Sequence, residues 1–148
     1  MTAPIAYFNG EFLPLDAIRI SPLDRGFLFG DGVYEVIPAY GGRLLRAREH
    51  FARLQRSMDE IGLANPHTVD EWIAQVRRLL AHHPGDQSVY IQVTRGVPPK
   101  RDHVIPKGLA PTVFMMSSPM VNPSREMIDK GVACVSASDF RWHKCHIK

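Results

Sequence analysis

Apolar positions along this chain recur first at a spacing of two, then at three to four, then at two again, and each change of period marks an element. Ala6 to Phe8 and Glu11 to Leu13 are short apolar-rich runs joined by Asn9-Gly10. Both central positions of a type I′ turn need positive φ, which Asn and Gly tolerate, so the chain is expected to open as a β-hairpin. From Val33 to Tyr40 the alternation turns Val33, Glu35 and Ile37 to one face of a strand and Tyr34 and Val36 to the other. Gly41-Gly42 followed by Arg43 to Arg46 reads as a second hairpin. In Glu49 to Ile61 the side chains of Phe51, Leu54, Met58 and Ile61 return every three or four residues and Gly62 supplies a stop, which predicts an amphipathic helix with Arg53 and Arg56 off its apolar stripe. Thr68-Val69-Asp70-Glu71 has the capping-box form and opens a second helix through Trp72, Ile73, Val76, Leu79 and Leu80 to about His82. His82 and His83 in its last turn suit the negative end of the helix dipole better than a metal site.

The period then returns to two. Ser88 to Arg95 predicts a strand ended by Gly96, and Thr112 to Ser117 predicts another. Between them VPPKRDHVIPKGLAP holds four prolines and no periodicity, which marks an exposed loop. Pro123 to Lys130 reads as a loop or short helix, and Gly131 to Ser136 as a further strand through Val132, Cys134 and Val135. With no repeats and no internal linker, the 148 residues make one α+β unit. A formal charge of +3 is carried by scattered Lys and Arg residues without the stripe of a nucleic-acid face. Two cysteines, Cys134 and Cys145, form neither a metal pair nor a disulfide framework, which fits a reducing cytoplasm. No apolar run reaches membrane-spanning length, so a soluble intracellular protein is expected.

The least ordinary run is Asp24 to Glu35, DRGFLFGDGVYE, with glycines at 26, 30 and 32. Glycine at that density suggests a tightly shaped loop delivering Tyr34 to the start of a strand. Its spacing matches neither the dinucleotide nor the P-loop pattern, so it is not a phosphate cradle. On its own residues the run fits either a glycine-rich turn with a core tyrosine or a site. Arg101 and His103 stand two apart, so in an extended segment they point to one side and could grip a single carboxylate; a solvated basic loop is the alternative. In the tail, His143, Cys145 and His146 are all good zinc ligands, but adjacent Cys145 and His146 are hard to aim at one ion, and no metal is expected.

DRGFLFGDGVYE, REHFARL (48–54), VYIQVTRG (89–96), the Arg101-Asp102-His103 triplet and RWHKCHIK (141–148) together resemble, in order along most of the chain, the fold type IV pyridoxal-phosphate enzymes. Within that group of D-amino acid and branched-chain aminotransferases and aminodeoxychorismate lyase, the likeness is strongest to the D-amino acid aminotransferases. The resemblance implies that residues 1–148 are an N-terminal α+β domain, an antiparallel sheet with two helices, ending at the cofactor lysine, and that the family's larger C-terminal domain is not among them. It implies pyridoxal 5′-phosphate as cofactor, Lys148 as the Schiff-base lysine and Arg53 as a ligand of the cofactor phosphate, with His50 structural. Arg101 and His103, offered across the interface of a homodimer, would hold the substrate α-carboxylate together with Tyr34. The alignment needs one extra residue after Gly96, which leaves Lys100 as a substitute for Arg101, and His146 stands where the family often has aspartate. The implied activity moves an amino group from a D-amino acid to a 2-oxo acid. Aminodeoxychorismate lyase and branched-chain aminotransferase are the alternatives within the group, and a non-catalytic fragment or binding module is the alternative outside it.

Overall fold

The computed structural model describes residues 3–145. Strands β1 (Ile5–Phe8) and β2 (Glu11–Pro14) form the opening hairpin, with Asn9 at φ 47° and Gly10 at φ 102°, the positive values that a two-residue turn requires. Then come a short helix α1 (Arg25–Phe29), strands β3 (Gly32–Tyr40) and β4 (Arg43–Leu44), helices α2 (Ala47–Glu60) and α3 (Val69–Leu80), strands β5 (Gln87–Thr94) and β6 (Thr112–Pro119), and helix α4 (Arg125–Lys130). The six strands make one sheet in the order β2-β1-β6-β5-β3-β4, antiparallel at every pairing.

Both long helices lie on one face of that sheet, and the period-two pattern explains why. Ile37 and Ala39 of β3, Val89, Ile91 and Val93 of β5, and Val113 and Met115 of β6 point to that side and are buried against Phe51, Leu54 and Met58 of α2 and Trp72, Val76 and Leu79 of α3. Phe51 and Trp72 stack across the two helices, and the Trp72 Nε1–H donates to Asn65 Oδ1 at 3.0 Å, so this large core ring leaves no polar atom unpaired. The α3 capping box forms as the sequence predicts, with the Glu71 N–H donating to Thr68 Oγ1 and the Thr68 N–H to Glu71 Oε2. The opposite face of the sheet carries Tyr34, Val36 and Tyr40, all exposed.

Two expectations need correction. Asp24 to Gly32 is not simply a loop, because Asp24 caps the five-residue α1 by accepting from the Gly26 N–H at 2.8 Å and Gly30 ends it in the left-handed region at φ 64°. The predicted strand at 131–136 does not form. Residues 131–145 are exposed throughout, so the apolar run through Val132, Cys134 and Val135 has no sheet to join among the described residues. His82 and His83 lie just past α3, where the His83 ring meets the Ile5 carbonyl at 2.8 Å. No helix among the described residues is long and apolar enough to cross a membrane.

Candidate active site

Arg53, the residue expected to meet the cofactor phosphate, is brought to a fixed place by a buried carboxylate that the sequence did not single out. Glu35 occupies an interior register of β3, between the buried side of Val33 and Ile37, and its side chain is only 3% exposed. A buried carboxylate needs charged donors, and α2 supplies them. Arg53 Nε donates to Glu35 Oε2 at 2.9 Å and Arg53 Nη2 to Oε1 at 2.6 Å, a two-pronged pair, while His50 Nδ1 lies 3.2 Å from the same Oε1. Burial alone would raise the Glu35 pKa, but the hydrogen bonds from Arg53, the Val36 N–H and His50 outweigh it and hold the carboxyl below its usual range. The carboxylate in turn raises the pKa of Arg53, with a smaller contribution from nearby Tyr34.

Arg53 itself is 60% exposed, so one edge of its guanidinium is fixed by Glu35 while the other looks outward. It borders a cavity of about 250 Å³ shared with Arg46, Glu49, His50 and Arg56. That concavity is basic, with Glu49 drawn to Arg46 at 3.1 Å. Because β4 pairs only with Ala39 and Tyr40, the Tyr34–Ile37 part of β3 is an open edge on this side among the described residues. Tyr34 stands on the far face, 67% exposed and stacked on Tyr90 with ring centroids 5.9 Å apart. The core-tyrosine reading of the glycine-rich run is thereby excluded.

A second ionic centre was not legible as a site in the sequence. Asp31 lies between Arg25 and Arg95. Arg25 Nε donates to Asp31 Oδ2 at 2.7 Å, and Arg95 Nε to Oδ2 and Oδ1 at 2.7 and 2.9 Å. Arg95 uses its remaining nitrogens on the carbonyls of Ile61 and Gly62 at the end of α2, and Arg25 Nη1 donates to the Asp102 carbonyl at 2.8 Å. Burial pushes the Asp31 pKa upward, but the bonds and charges of Arg95 and Arg25 prevail and hold it low. Beside it, Asp24 Oδ2 accepts from the hydroxyls of Thr94 and Thr112 at 3.0 and 2.7 Å.

The loop from Val97 to Pro111 has no regular element, as expected. Its neck is narrow: Gly96 has φ 98°, and a Cβ there would lie 2.0 Å from the Ala110 carbonyl oxygen. Arg101 and His103 are brought together, both against Phe29. The Arg101 guanidinium carbon is 5.2 Å from that ring's centre, and the His103 ring centroid 5.3 Å from it. Lys100, the substitute for Arg101, is drawn instead to Asp102 at 3.3 Å. Tyr34 stacks on Tyr90 rather than joining this pair. Lys148 and His146 lie outside the described residues.

An antiparallel α+β domain with a buried carboxylate fixing an outward-facing arginine defines the class, and the comparison with known families agrees. The sequence profile of the amino-transferase class IV family matches residues 32–148, and the chain belongs to that family. It is 41% identical over 143 residues to the D-alanine aminotransferase of Staphylococcus epidermidis, an alignment that takes in 96% of this chain and 50% of that protein. The chain thus spans about half the length of the curated relatives it matches. Among solved structures, the branched-chain aminotransferase of Thermoproteus uzoniensis has the same fold, with a TM-score of 0.73 at 23% identity over 82% of this chain and 42% of that one. A hypothetical aminotransferase of Mycobacterium tuberculosis in its PLP-bound form gives 0.63 at 24% identity over 78% and 39%.

Proposed function

We propose that this chain is the N-terminal domain of a pyridoxal-phosphate-dependent aminotransferase that moves an amino group from a D-amino acid to a 2-oxo acid. The observation that carries the substrate class is the 41% identity to a D-alanine aminotransferase along nearly the whole chain. The pairing of Arg101 and His103 on one ring supports it. The branched-chain aminotransferase of Thermoproteus uzoniensis is similar in fold at 23% identity, which speaks to architecture rather than substrate.

The residues present fit the cofactor. Arg53 is a planar fork whose inner edge is occupied by Glu35, leaving outward donors suited to a phosphate in a basic concavity. Pyridoxal phosphate, when bound, supplies the aldehyde and the electron sink that transamination needs. Arg53 would hold the phosphate and Glu35 would keep the fork from swinging. Lys148 is the residue proposed to attach the cofactor and to carry the proton to and from the substrate α-carbon; its neutral amine is the form that reacts. Arg101 with His103 would bind the α-carboxylate, the group that both the amino acid and the oxo acid share, and the Tyr34 hydroxyl would approach from its exposed face. Lys100, engaged with Asp102, is the weaker choice for that contact.

The exposed Val104 and Ile105 beside the pair suit docking of this loop against a second subunit, so the working form is proposed to be a homodimer with shared sites. The deciding experiment assays D-alanine, L-leucine and aminodeoxychorismate side by side on the cofactor-loaded enzyme. Turnover is expected with D-alanine and a 2-oxo acid; preference for L-leucine, or lyase chemistry, would sink the substrate assignment.

A further inference from the structure

We propose that Phe29, fixed by Arg25 and Asp31, is a positioning residue that presets the Arg101–His103 pair for a substrate carboxylate. The inference rests on the carboxylate-binding reading of that pair and deepens it. Three groups converge on the Phe29 ring: the guanidinium of Arg25 at 4.7 Å from its centre, that of Arg101 at 5.2 Å, and the imidazole of His103 at 5.3 Å. An exposed arginine on a proline-rich loop has many rotamers. Laid against an aromatic face it keeps fewer, and its nitrogens still point outward in their plane, free to meet carboxylate oxygens.

The backbone is held as well as the side chains. The carbonyl of Asp102, the residue between the pair, accepts from Arg25 Nη1 at 2.8 Å. The Arg25 N–H donates to the carbonyl of Gly96, where the loop leaves the sheet, at 3.0 Å. One residue therefore fastens the loop at its root and again at the pair. Arg25 cannot drift, because its Nε is held by Asp31, which Arg95 grips from the other side. The five-residue α1 carries Arg25 and Phe29 on the same turn, four apart, so one rigid piece supplies both the backbone clamp and the ring. Binding groups held this way lose less freedom when ligand arrives, and small misplacement of them weakens binding.

The test compares Phe29→Leu, Phe29→Tyr and Arg101→Ala in the cofactor-loaded enzyme. Steady-state constants for D-alanine are measured together with the dissociation constant of propanoate, a carboxylate lacking the amino group, by calorimetry. Phe29→Leu is expected to raise both KM and the propanoate constant about 3- to 10-fold, the size of losing a ring contact to a cation. Its kcat should stay within about twofold, since ground-state and transition-state carboxylate contacts weaken alike. Phe29→Tyr keeps the ring and should restore binding, which general loss of packing would not predict. Unchanged propanoate binding in Phe29→Leu, alongside lost binding in Arg101→Ala, would overturn the positioning role while leaving the pair as the carboxylate site. Failure of Phe29→Tyr to restore binding would also overturn it. Unchanged binding in Arg101→Ala would remove the carboxylate reading itself, and the inference with it.

Discussion

Replacing Asp31 by alanine would strand two guanidinium groups at once. The side chains of Arg25 and Arg95 are 5% and 10% exposed, so water can reach neither freely once their shared carboxylate is gone. Breaking a buried ion pair by removing one partner costs about 3–5 kcal/mol. Two cations are involved, but Arg95 keeps its bonds to the Ile61 and Gly62 carbonyls and Arg25 keeps its bond to Asp102, which argues for that range rather than its double. Against a typical total of about 5–15 kcal/mol the loss is large. Urea unfolding at pH 7 would show it as a fall in midpoint of roughly 1.5–2.5 M, taking a slope of about 2 kcal/mol per M. The pH dependence gives an independent check. Asp31 is held below its ordinary pKa, so its contribution is complete above the unfolded value of about 3.9 and disappears as pH falls through the folded one. The acid limb of stability, from about pH 4 downward, should therefore be shallower in Asp31→Asn than in the unaltered protein. A loss under about 0.5 kcal/mol in Asp31→Ala, within the range of ordinary surface changes, would refute the assignment of Asp31 as the shared anchor. An unchanged acid limb in Asp31→Asn would refute it too.

Arg53→Ala should weaken pyridoxal phosphate binding by roughly 10- to 150-fold, the equivalent of one charge-assisted contact, in a fluorescence titration of the cofactor-free protein. Glu35→Gln, which loosens the fork without removing it, should weaken binding less, and unchanged affinity in Arg53→Ala would show that the phosphate lies elsewhere. Borohydride reduction of the cofactor-loaded enzyme followed by peptide mapping should place the label on Lys148. A label on Lys144 or Lys100 would move the attachment.

Periodicity was enough for the two long helices, the hairpins and the core, because these elements bury a stripe or a face and their spacing records it. It was not enough for α1. Five residues are too few to show a helical period, and the glycines at 26, 30 and 32 read as loop, although the cap signals were present in Asp24 ahead of the turn and Gly30 behind it. It misled at 131–136. There an apolar run exists in the sequence, but a strand is made by its neighbour's hydrogen bonds, and the described residues supply none. An apolar run states which side chains could be buried; it does not supply the surface that buries them.

The residues of the candidate site could be named from the sequence, but not their dependence on one another. Glu35 lies on the helix-facing register of β3 beside Ile37, and Arg95, one residue past β5, continues the register of Val89, Ile91 and Val93; a buried charge in such a place demands a partner of opposite sign. That signal marks each position as needing a partner, although it cannot say which of the scattered charges answers or that Asp31 joins two arginines. The structure separates them by what remains after pairing. Arg25 and Arg95 are enclosed and are each held by Asp31 and by backbone carbonyls, so they stiffen the loop and the end of α2. Arg53 pairs with an equally buried carboxylate but stands at an open strand edge, and its outer donors face a basic cavity. A buried acid thus serves two ends here. Where its cation is also buried the pair is scaffold, and where its cation reaches the surface the same bond fixes an outward-facing charge, which on the function proposed above would meet the cofactor phosphate.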